Sequence, residues 1–131
     1  MLTLRQEQTD LFARLELERF EARVIAHLRQ YFPQRMASVS EQNARGLVRF
    51  CMERARRYGI VTERSLVLYI SVAVALGSRF DQRHAWAAEI LRDPFIATPE
   101  ARVEELHRRA VEFLDAPQER AAPPARREVS L

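Results

Sequence analysis

The sequence predicts an all-α protein: a single compact bundle of five or six helices around a central apolar helix at about residues 63–77. Three observations lead there. Leu66 to Leu76 carries no charge, and it is framed by Thr62 as N-cap, Glu63 in the first turn and Gly77 as C-cap. Only three Gly and six Pro occur in 131 residues, so turns are few. The apolar residues elsewhere recur at spacings of three and four, the helical period. Val67, Ile70, Val72 and Val74 are β-branched and favour a strand, but the caps decide for helix. At about 1.5 Å per residue the run is too short to cross a bilayer of ~30 Å. A helix apolar on nearly every side needs other helices around it, so Leu68, Val72 and Leu76 are expected to be almost fully buried.

The elements follow in order. Thr3 with Gln6 resembles a capping box and opens a helix, continuous or kinked, that reaches Phe32. Leu17, Phe20, Val24, Leu28 and Tyr31 form its apolar stripe, with Arg19, Glu21, Arg23 and Arg29 off it. Pro33 stops that helix, because the residue before a proline avoids helical geometry. Ser38 with Glu41, or Ser40, caps the next helix, which runs to about Tyr58 with Ala44, Val48, Cys51 and Ala55 on one face. Gly59 ends it in the left-handed conformation, with Ile60 making the accompanying apolar contact. After the central helix, Asp81 caps a short helix containing Trp86, Ile90 and Leu91, and Asp93-Pro94 breaks it. Thr98-Pro99-Glu100 starts the last helix, with Val103, Leu106, Ala110 and Phe113 facing inward. Residues 1–115 thus read as one helical domain, and 116–131, with Pro117, Pro123, Pro124 and Arg126-Arg127, as a disordered tail.

All 21 basic residues are Arg, and the net charge is only +3 beside 18 acidic residues. Arg and acid alternate at helical spacing, which describes cross-paired, solvated faces rather than a phosphate-binding stripe. The helix after Gly59 is apolar and has few side chains with which to read a base pair, so no specific nucleic-acid partner is expected. A single cysteine, Cys51, excludes an internal disulfide, and no signal-peptide core is seen, so a cytoplasmic location without a membrane partner is expected.

His27, His84 and His107 show no ligand spacing, so no metal and no cofactor is expected. Ser71, His84 and Asp81 make a conceivable nucleophile set, yet a nucleophilic serine belongs on a strained turn rather than mid-helix. Ser71 is expected to bond a carbonyl one turn back, and the chain is expected not to be an enzyme. The residue types that dominate protein interfaces gather later, between residues 78 and 109. Arg79, Phe80, Arg83, Arg92 and Phe95, with Arg102, Arg108 and Arg109 on the last helix, make the expected partner-binding face, the alternative for Phe80 and Trp86 being to cap the bottom of the core.

Tyr58-Gly59-Ile60, Glu63-Arg64, Tyr69, Gly77, Phe80-Asp81, Trp86-Ala87 and Ile90-Leu91-Arg92-Asp93 form a wider pattern, joined by His27-Leu28-Arg29 and Phe32-Pro33. Over about residues 20–114 it resembles small helical accessory proteins encoded beside type VI secretion effectors and their loading chaperones. The resemblance implies a co-chaperone role: binding an effector chaperone or an effector before loading, with no catalytic residues. From the residues alone the expectation is a non-enzymatic protein-binding module. An immunity protein neutralising a toxin is the alternative, followed by a small Arg-rich nucleic-acid-binding protein. Oligomeric state is left open.

Overall fold

The computed structural model describes residues 2–116, with side chains from Arg5 onward. Its elements are α1 (Leu2–Tyr31), α2 (Pro33–Met36), α3 (Glu41–Arg56), α4 (Glu63–Leu76), α5 (Phe80–Arg83), α6 (Ala85–Leu91) and α7 (Pro99–Leu114). The described residues are all-α, as predicted, with two single-turn helices beyond the expected set. One is α2, opened by Pro33 at its first position. The other, α5, arises because His84 takes an extended conformation (φ −114°, ψ 105°) and splits the expected short helix in two. The tail expected from 116 lies, beyond Ala116, outside the described residues.

The boundaries follow from local chemistry. Thr62, Ser40 and Thr98 each accept a hydrogen bond from the backbone N–H three residues on, at 3.3, 3.0 and 3.1 Å. Each satisfies one of the amides that a helix start leaves without a partner. Of the two caps considered for α3, Ser40 is therefore the one used. Gly59 has φ +80°, and the Ile60 N–H bonds back to the Ala55 carbonyl at 3.1 Å while the Ile60 side chain is buried. That is the Schellman arrangement read from Gly59-Ile60. The expected Thr3 cap is displaced, because α1 already begins at Leu2.

α4 packs against α1, α3, α5 and α7, and α6 lies on α7. The apolar residues of α4 that are buried are Leu66, Tyr69, Ile70, Val72 and Ala73, with Tyr69 and Ile70 deepest. Leu68 and Leu76, expected to be almost fully buried, are only part-buried. A helix apolar all round has no angular preference, so its sequence does not say which face lies deepest. α1 is continuous, but only its second half enters the core through Phe20, Val24, Ile25 and Leu28. Leu17 and Tyr31, placed on the same stripe, are 38% and 62% exposed; Leu17 lines an open groove with Met52, Val61 and Leu66 rather than entering the core.

Glu21 reverses an expectation. Read as lying off the stripe, it is fully buried, and Arg45 and Arg49 donate to it from α3 at 2.6 to 3.1 Å. A buried carboxylate is tolerated only when its lone pairs are taken up, and these two guanidiniums take them up. Among the described residues no helix is long and apolar enough to cross a membrane.

Candidate docking face

The segment after α4 is anchored from beneath. Phe80, the first residue of α5, has no exposed surface and packs on the Tyr69 ring at 5.1 Å. This removes Phe80 from the expected partner-binding set: it is a core residue that fixes α5 to the central helix. Asp81 is not a helix cap either. Its carboxylate points inward, where Arg54 Nη2 donates to both oxygens at 2.9 and 2.7 Å and the Tyr58 hydroxyl donates at 2.6 Å. Both side chains of the Arg54–Asp81 pair are almost fully buried. Burial opposes ionisation of Asp81, but the Tyr58 and Arg54 bonds outweigh it and hold the carboxyl below its ordinary value. Burial and the bond to Asp81 push the Tyr58 hydroxyl up.

Above this anchor lie the exposed cations. Arg79 sits over the Phe50 ring at 5.1 Å and Arg92 over the Tyr58 ring at 5.4 Å. Phe50 and Tyr58 belong to the C-terminal part of α3 and the turn after it, so the two guanidiniums cover the same side of the fold. Arg83 is exposed beside Gly77, at the end of α4.

The loop after α6 carries Phe95, 96% exposed. It is nonetheless held in shape. The Phe95 N–H donates to Asp93 Oδ1 at 2.8 Å, and Arg102 Nε donates to the Asp93 and Ile96 carbonyls at 2.9 and 3.0 Å. Arg102 therefore works behind the loop rather than on its outer face. Arg108 is bound along its own helix by Glu105 and Glu112. Arg109 lies over Trp86 at 5.3 Å, in a separate aromatic group with His84 and Phe113. Arg79 and Arg92 share the α3 side and Phe95 projects from the neighbouring loop, while Arg102 and Arg108 are tied up in bonds within the chain and Arg109 lies apart with the Trp86 group.

No hydrogen bond links Ser71, Asp81 and His84. Ser71 Oγ is buried with no partner, not bonded one turn back as expected, and it lies in the wall of an apolar groove between α4 and α7. Burial raises the Cys51 thiol to about 12, so it stays protonated. Among the described residues no three His, Cys, Asp or Glu side chains form a metal-binding group. Comparison with protein-family models, with curated proteins and with solved structures finds no match.

Proposed function

We propose that the protein is a non-enzymatic protein-binding module, and that it serves as an accessory or co-chaperone in loading type VI secretion effectors. The observation that carries the binding reading is Phe95: a large aromatic side chain almost wholly in water, on a loop pinned by Asp93 and Arg102. Holding an exposed apolar anchor rigid in the free protein lowers the ordering cost of inserting it into a partner's pocket. Arg79, Arg83 and Arg92 supply the directed polar contacts that accompany such anchors at interfaces. The effector-loading role rests on the sequence resemblance over about residues 20–114.

The test is co-purification with an effector chaperone or its effector. Phe95→Ala should weaken capture at least tenfold, the loss typical of an interface anchor (about 1.4 kcal/mol or more). Charge reversal at Arg79, Arg83 and Arg92 together should abolish capture while circular dichroism stays unchanged and the melting temperature drops by only the few degrees that two exposed cation–π contacts are worth. Capture at the parent level by both variants moves the docking surface elsewhere on the bundle.

A further inference from the structure

From Arg5 to Arg19, half of α1, no residue is buried. Leu11, Phe12 and Leu15 in this half are 48, 63 and 40% exposed. At about 100° per residue they form a stripe centred roughly 170° around the helix from the Phe20, Val24 and Leu28 stripe that enters the core. They are therefore not the overhanging end of the core stripe but a second seam facing the other way.

The charges beside the seam differ from those elsewhere on this half. Glu16 and Arg19 pair at 2.7 Å, and Gln6 bonds Asp10 at 3.0 Å. Glu7 and Arg14 occupy one flank of the stripe, two turns apart and opposite in sign, with no ion pair between either of them and any described residue. On the other flank Arg5 and Phe12 stand at the same separation.

We infer that two copies of the chain pair antiparallel through this half of α1. A two-fold rotation that brings Leu11 of one copy level with Gln8 of the other sets each Glu7 against the second copy's Arg14. The same rotation sets each Arg5 against the second copy's Phe12, a cation–π contact. The parallel alternative brings Arg14 beside Arg19 and stacks Glu18 on Glu18, so charge selects the antiparallel form. A seam of two turns either side of its axis falls short of the roughly 1,200 Å² of a standard stable interface. The dimer is accordingly weak and in concentration-dependent exchange. The proposal stands apart from the Phe95 face and does not depend on it.

Sedimentation equilibrium over a concentration series reaching the millimolar range tests it. The parent chain should pass from monomer to dimer. Glu7→Arg should raise the dissociation constant about tenfold, since both flank pairs become Arg–Arg contacts. Glu7→Arg with Arg14→Glu in the same chain should restore it, because the swap preserves antiparallel complementarity. Leu11→Glu with Leu15→Glu should leave a monomer that melts at the parent temperature. A parent chain that stays monomeric throughout the series overturns the proposal. So does a double charge swap no tighter than the single reversal, which shows that the copies do not meet in this register.

Discussion

At Asp81 one carboxylate joins α5 to α3, and its burial makes the bond a high-stakes one. Asp81→Ala leaves the Arg54 guanidinium buried without its counter-charge, which costs about 3–5 kcal/mol. Because the folded carboxyl titrates below its ordinary value of about 3.9, its contribution is complete above that value and is lost as pH falls through the folded one. Melting temperature in the parent should therefore fall steeply below about pH 4, while Asp81→Asn should start lower and decline less over the same interval. Parallel curves for the two proteins would show that this carboxylate is not what acid attacks. Ser71 presents the opposite case. Its buried hydroxyl has no partner, so Ser71→Ala removes a desolvation cost without breaking any hydrogen bond. Thermal melts should show the variant as stable as the parent or more so, by up to about 1 kcal/mol.

At the scale of elements, Glu21 is the tie between α1 and α3. Its side chain is fully buried, but Arg45 and Arg49 are 32% and 58% exposed and can turn to water when it is removed. Glu21→Ala should cost about 1–3 kcal/mol in urea unfolding, less than Asp81→Ala because no charge is stranded. A loss equal to that of Asp81→Ala would mean that the two arginines remain trapped. The two ties also mark the limits of reading this chain from its sequence. The caps at Thr62, Thr98 and Gly59 were legible because a cap is a matter of neighbouring residues. Glu21 was not, because its partners stand 24 and 28 residues further along the chain. Phe95 could be read as exposed from Pro94 and Pro99 around it, whereas Phe80 could not be placed without knowing that Tyr69 turns toward it. The all-round apolar character of α4 announced a centre while concealing which of its leucines lay there.

Across the whole molecule, all-helical class was carried by features repeated along the chain, and the arrangement of helices by a few distant contacts. α1 shows what that division entails. It is one unbroken helix, yet its first buried residue is Phe20. An isolated stretch of about 15 residues is marginally helical in water, so the first half borrows its order from the second. Amide hydrogen exchange should resolve this as a gradient along a single rod: fast, low-protection exchange from about Gln8 to Glu16, rising to the slowest amides of the protein near Val24 and Leu28. Uniform protection along the helix in dilute monomer would contradict it. With such a gradient, whatever settles on the outer half also winds the helix it settles on, and slowed exchange there becomes a direct record of occupancy.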